Sequence, residues 1–222
     1  GMYEVKAVNG AAITVNNNEE LINAINSTSV KEAKTITLAK DITLNTNDLL
    51  TLAKNSKLVV NTGIKLTINS PIDLNGTLEI NGSVDIASNG YIGSLDNILL
   101  DTNASLNYDA SLSGNSITVA KPMDMQWVAY QYMIGNDMIQ TLNITTNLDY
   151  LNAHADPIGT DETIFTGTLD GGGHTISNVK IEGSSDMALC GVANDITITN
   201  LTISNIEVKG NTARAAVLAA AA

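Results

Sequence analysis

Between Val60 and Ile98 the chain repeats an aliphatic pattern every six residues. One row reads Val60, Leu66, Ile72, Leu78, Val84, and a second reads Ile68, Leu74, Ile80, Ile86, Ile92, Ile98. A unit this short cannot bury its own apolar side, so it must stack on copies of itself. The rival reading is a string of hairpins, because Asn75-Gly76 and Asn81-Gly82 are strong two-residue turn signals. Facing decides between them. A turn at Asn81-Gly82 would set Glu79 opposite Val84 and Leu78 opposite Asp85, and residues directly opposite share a face. Each face would then mix charge with hydrocarbon. If the chain instead bends at each Asn-Gly and keeps turning the same way, every i, i+2 aliphatic pair points inward, while Glu79 and Asp85 point to water. The spacing therefore predicts a coil.

A second repeat lies further along. Ile176-Ser177-Asn178-Val179-Lys180-Ile181 recurs 22 residues later as Ile198-Thr199-Asn200-Leu201-Thr202-Ile203. This offset suits one solenoid turn and places Asn178 beneath Asn200. The half-match Ile203-Ser204-Asn205-Ile206-Glu207-Val208 then reads as a neighbouring side of the same coil. Composition agrees with a narrow interior. The chain is 44% hydrophobic but only 4% aromatic, with one Trp (Trp127) and one Phe (Phe165), so the core must be Ile, Leu and Val. Asn at stacked bends is expected to form inward side-chain amide ladders.

The opening of the chain carries a strand at 11–15 and then a helix start. An Asn from the run at 16–18 caps it, Glu19 and Glu20 occupy the first turn, and Leu21, Ile22 and Ile25 form one apolar face. Such a helix would act as a lid over the first coil. Strands follow at 35–38 and 42–44. Residues 101–116 are polar and turn-rich. The opening then comes round again about 105 residues on, with Ile117-Thr118-Val119, a helix over 123–134, and strands at 142–144 and 148–150. We therefore divide the chain into 1–116, an N-terminal cap helix with solenoid coils, and 117–222, a second cap-like helix with further coils. Trp127, Tyr130 and Met133, at helical spacing, read as a packing face.

Charge and cysteine content exclude several classes. The net charge of −12 would repel polyanions, which argues against nucleic acid and anionic membrane surfaces as partners. The lone cysteine, Cys190, allows no internal disulfide, and its apolar surroundings read as a buried small hydrophobe. No apolar stretch reaches the roughly 18 residues needed to span a bilayer. Gly1 before Met2 reads as a tag scar, which leaves room for a removed signal peptide, and the alanine-rich end from Ala213 suggests a native chain continuing beyond Ala222.

The stretch from Ile158 to Ile181, with Phe165-Thr166-Gly167-Thr168-Leu169-Asp170-Gly171-Gly172-Gly173-His174 at its centre, resembles the opening of GLUG-type repeats. These occur in large bacterial surface proteins and adhesins. The resemblance covers about residues 121–222 and includes Ala188-Leu189-Cys190-Gly191. The Gly-Leu-Val-Gly core of the repeat is replaced near the end by Ala216-Val217-Leu218-Ala219. It implies an all-β fold, a right-handed parallel β-helix of the pectin-lyase-like kind with short capping helices. It supplies no catalytic residues.

The residues themselves point the same way. The fold also hosts polysaccharide lyases and hydrolases, but fold does not give function. Lyases of this kind resemble one another in using an Arg or Lys base, and the single arginine here, Arg214, lies in the alanine-rich end. Asp161, Glu162, Asp170 and Asp186 are the carboxylates that would have to converge for glycoside hydrolysis, and Asp170 is explained by an Asp-Gly turn. His154 and His174 read as surface or turn histidines without metal-ligand spacing. Gly171-Gly172-Gly173 lacks the Lys-Ser/Thr and helix of a phosphate loop. Thr-x-Thr at 35–37 and 197–199 is isolated, where an ice-binding face needs an array. The expectation is thus a non-enzymatic, monomeric surface or secreted bacterial protein that binds glycan or a host surface protein. It has no catalytic, cofactor or metal residues, no cofactor, and no membrane insertion by this segment. The alternative is a polysaccharide lyase or glycoside hydrolase.

Overall fold

The computed structural model describes residues 10–183, 189–210 and 219–221. In chain order the elements are β1 (Ala11–Val15), α1 (Asn18–Asn26), β2 (Lys34–Leu38), β3 (Ile42–Leu44), β4 (Leu50–Leu52), β5 (Lys57–Val60), β6 (Lys65–Ile68), β7 (Pro71–Leu74), β8 (Thr77–Ile80), β9 (Ser83–Ile86), β10 (Tyr91–Gly93), β11 (Ile98–Leu100) and β12 (Ser105–Tyr108). They continue with β13 (Leu112–Ser113), β14 (Ser116–Val119), α2 (Pro122–Met133), β15 (Thr141–Ile144), β16 (Leu148–Asp149), β17 (Thr168–Gly183), β18 (Cys190–Val192), β19 (Thr197–Gly210) and β20 (Ala219–Ala221). The protein is mostly β, with parallel sheets. It forms two compact units, one of Gly1–Gly90 with Asn97–Asn107, the other of Tyr91–Asp96 with Tyr108–Ala222.

In the first unit the sheet orders are β1-β2-β5-β8-β11, β3-β6-β9-β12 and β4-β7. From β2 onward the chain visits the three sheets in rotation, and each strand meets the one three places later. Ile36, Leu58, Leu78 and Ile98 stand in one register, as do Ile42, Leu66 and Val84, and Leu50 and Ile72. Each six-residue unit is therefore one side of a circuit, and the row winds through all three sheets. Leu66 and Val84, paired across one circuit, are three units apart. The aliphatic i, i+2 pairs do turn inward together: Leu78, Ile80, Val84 and Leu66 have no solvent exposure. Outside, Lys57 lies 3.5 Å from Glu79 and Lys65 lies 3.3 Å from Asp85.

No hairpin forms at Asn81-Gly82. Both amides donate to Val60 O of the previous circuit, and neither Gly76 nor Gly82 has positive φ. Glycine is required there for a different reason. A Cβ on Gly82 would come within 2.2 Å of Asn61 O, and one on Gly76 within 2.3 Å of Ser56 O. The backbones of successive circuits approach too closely at the bend for any side chain.

Helix α1 packs against β1 to β4. Its N-cap is Asn17, whose side chain accepts the Glu20 amide at 2.9 Å. Leu21, Ala24 and Ile25 are buried, whereas Ile22, expected on the apolar face, is half-buried. Ala24 takes its place because the buried stripe runs 21, 24, 25 at helical spacing.

The second unit opens with the same order. β14 pairs in parallel with β15 across the intervening α2, as β1 does with β2 across α1. The stretch expected to be turn-rich holds β12, β13 and an antiparallel β13–β14 hairpin. β17 then pairs in parallel with β15, β16 and β19. β17 bends at Gly172 (φ +58°), Gly173 (φ +78°) and Asn178 (φ +53°), and β19 at Asn200 (φ +50°) and Asn205 (φ +52°).

The expected register is corrected here. Ile176 pairs with Ile203 and Val179 with Ile206, so Asn205, and not Asn200, stands over Asn178. The 22-residue repeat relates one side of a circuit to the neighbouring side of the next, because Ile198 pairs with Leu169, and the half-match at 203–208 is the true stacked copy. The register shift between Asp170 and His174, where the three glycines lie, hides this from a fixed period. The amide ladder exists but faces outward: Asn205 Nδ2 donates to Asn178 Oδ1 at 2.6 Å and Asn178 Nδ2 to Asp149 Oδ1 at 3.1 Å.

Candidate functional site

The outward face of β14, β15, β17 and β19 is built in register. Ser116, Thr141, Thr168 and Thr197 form one column, and Thr118, Asn143, Asp170 and Thr199 a second. Between them Ile117, Leu142 and Leu169 point inward and are buried. Strand alternation thus directs one short polar column to each side of an apolar one. The Thr197-x-Thr199 motif, read as isolated, is the last of four stacked rungs.

Some outward rows bond within themselves: Ser105 to Ser83 at 3.0 Å, Asn107 to Asp85 at 2.9 Å, His154 to Glu182 at 2.7 Å. Here Asp170 Oδ1 accepts the Gly172 amide at 2.9 Å, and no other side chain of the two columns makes a hydrogen bond among the described residues. Thr118, Thr197 and Thr199 are exposed and the rest half-buried. No lysine or arginine belongs to either column.

Of the carboxylates weighed for hydrolysis, Asp161, Glu162 and Asp170 make no hydrogen bond to one another. Asp161 and Glu162 are exposed on the loop before Phe165, and Asp170 forms the expected Asp-Gly turn. Asp186 and Arg214 lie outside the described residues, as does most of the alanine-rich end. His154 is half-buried and follows the turn at 151–152. It lies in a β-bridge to Lys180, with its side chain only 13% exposed and paired to Glu182. Among the described residues no three His, Cys, Asp or Glu come together as a metal site. Cys190 is buried, and burial pushes its thiol up to about 12, so it is inert at neutral pH.

On α2, Trp127, Tyr130 and Met133 form only part of the packing: Tyr130 is buried and Trp127 and Met133 are half-buried, while the deepest residues are Met123, Gln126, Val128, Ala129 and Tyr132. Trp127 lies between Tyr108 and Tyr130, with ring centroids at 5.6 and 5.7 Å. The helix carries apolar residues all round, so a single stripe does not identify its buried side. Its polar residues are buried as well. Asp124 Oδ2 accepts the amides of Ala120 at 2.9 Å and Lys121 at 3.2 Å, closing the first turn, and its Oδ1 accepts the Tyr108 hydroxyl. Gln126 Nε2 donates to Ile92 O at 2.8 Å and to Asp156 Oδ2 at 2.7 Å, and Gln126 Oε1 accepts the Asp156 amide at 2.8 Å. Asp156 also accepts the Leu95 amide at 2.9 Å. Burial pushes its carboxyl up to about 6 despite these donors.

No family model matches the chain, and no solved structure is significantly similar to it. Part of the chain is similar to Halomucin of Haloquadratum walsbyi, at 49% identity over 55 residues. The match spans 23% of this chain and 1% of that protein. Among the described residues no helix is long and apolar enough to cross a membrane.

Proposed function

We propose that this chain is a non-enzymatic, right-handed parallel β-helix segment of a bacterial surface or secreted protein of the GLUG-repeat kind, and that it adheres to glycan or host matrix. Rotation of successive strands through three parallel sheets supports the β-helix reading. The partial likeness to a protein named as a mucin agrees with a surface role. The observation that carries the adhesive reading is the two-column face on β14, β15, β17 and β19. Its hydroxyl and amide groups are aligned by the sheet and uncommitted within the molecule, so they can bond a ligand without first breaking internal contacts.

The test is binding of the whole chain to a broad glycan array and to surfaces coated with collagen, laminin or fibronectin, alongside incubation with pectic and neutral polysaccharides. Retention on one of these without new reducing ends or unsaturated products is the expected result. Catalytic release of such products would establish the carbohydrate-active alternative instead, and absence of any binding would leave a passive spacer.

A further inference from the structure

We infer that the ligand of the two-column face is a neutral, extended glycan of the β-1,4-linked kind, lying across the strands along the columns. This rests on the adhesive reading above and names its ligand class and its path.

Period is the first argument. Rungs on adjacent strands repeat every 4.7–4.9 Å, roughly the length of one sugar in an extended β-1,4 chain (about 5 Å). The four rungs β14, β15, β17 and β19 span about 14 Å from first to last, about three sugar repeats, so four successive sugars can each meet one pair of side chains. The two columns lie about 6.6 Å apart along the strand, so one runs along each edge of a flat sugar ribbon.

The second argument is charge. The columns hold Asp170 and no cation, within a chain of net charge −12. A uronate, sulfate or phosphate polymer would meet like charge with nothing to neutralise it. A neutral polymer meets no such barrier.

The third is the chemistry of the groups. Hydroxyls of Ser116, Thr118, Thr141, Thr168, Thr197 and Thr199 both donate and accept, as sugar hydroxyls do. Asn143 and Asp170 are neighbours in one column. With Asp170 Oδ1 committed to Gly172, its Oδ2 remains to accept from a sugar hydroxyl, while the Asn143 amide can donate and accept on the next rung. The threonines are stiff at χ1, so holding their hydroxyls in line costs little entropy. Neither column has an aromatic side chain on which a sugar could stack, so each rung contributes weakly and binding must accumulate along the chain.

The experiment is calorimetric or NMR titration of the whole chain with cellobiose, cellotetraose, xylotetraose and chitotetraose, with oligogalacturonate as the anionic control. The double variant Thr141→Val, Thr168→Val removes two central hydroxyls and keeps shape and strand propensity; its melting temperature is compared with the parent. We expect one of the neutral tetrasaccharides to bind at least tenfold tighter than its disaccharide, the double variant to weaken it at least fivefold with an unchanged melt, and oligogalacturonate not to bind. Neutral glycan binding unaffected by the double variant would overturn this inference and leave the adhesive reading standing. Preference for the anionic oligomer would likewise overturn the ligand class alone. Failure to bind any glycan or matrix protein would remove both.

Discussion

The two strand–helix–strand openings occupy equivalent places in their units, yet their helices do different things. α1 buries one stripe, Leu21, Ala24 and Ile25, and keeps Glu19, Asn23 and Asn26 in water or half-exposed. It is a lid. α2 buries nine of its twelve residues, including Asp124, Gln126 and Gln131. It is an embedded strut, and its polar side chains tie it to Tyr108, Ile92 and Asp156. An equivalent place in the topology therefore does not set a helix's role. The polar residues on the buried sides do, because each must find a partner once water is excluded.

The largest expected break in this comparison is Tyr132→Ala. The ring meets Phe165 edge-on at 5.6 Å, and its hydroxyl donates to Ile139 O at 2.7 Å. Losing both should cost about 4–5 kcal/mol. Leu21→Ala on the lid should cost about 2–3 kcal/mol, at the low end for a buried leucine, because the outer side of the lid can settle. Denaturant titration followed by far-ultraviolet circular dichroism reads the strands of both units; equal losses for the two variants would refute the lid–strut distinction.

A smaller effect separates the polar positions. Gln126→Ala leaves Ile92 O and the Asp156 amide without their partner and should cost about 2–4 kcal/mol. Asn23→Ala, on the open side of α1, should stay within about 0.5 kcal/mol. Thermal melts of the two variants give the contrast directly.

The smallest effect is pH-dependent. The Asp156 carboxyl titrates at about 6 in the folded chain, above its ordinary 3.8. The folded state thus binds the proton more tightly than the unfolded one. The stability this contributes is present in full below about pH 4 and is lost as pH rises through 6. Raising the pH from 4 to 7.5 should lower the stability of the parent by about 1–3 kcal/mol relative to Asp156→Asn. Equal pH profiles would mean that the carboxylate is ionised without cost.

Much of the first unit was legible because its period is short and its side chains sort cleanly. Leu78, Ile80, Val84 and Ile86 can share one interior only if the chain keeps turning, and they do. The second opening was legible for the same reason, from Ile117 and Leu142 matching Ile13 and Ile36. The candidate face was not. Its rungs are separated by 25, 27 and 29 residues along the chain, from Ser116 to Thr141 to Thr168 to Thr197. With α2 in the first gap and loops of unequal length in the others, no fixed period relates them. The same irregularity misled the stacking of Asn178. The one signal that could have revealed the face is the pair Thr141-Leu142-Asn143 and Thr168-Leu169-Asp170, which share an apolar centre between two short polar residues.

The glycine bends carry a consequence for how this molecule ages. An asparagine followed by glycine ordinarily loses ammonia when the glycine nitrogen swings onto the side-chain carbonyl carbon and closes a five-membered ring. At Gly76 and Gly82 that nitrogen is held by Leu52 O at 2.9 Å and Val60 O at 3.0 Å. Asn75 and Asn81 can therefore cyclise only as fast as those circuits come apart, so the fold shelters from slow hydrolysis the same dipeptides that let its backbone stack.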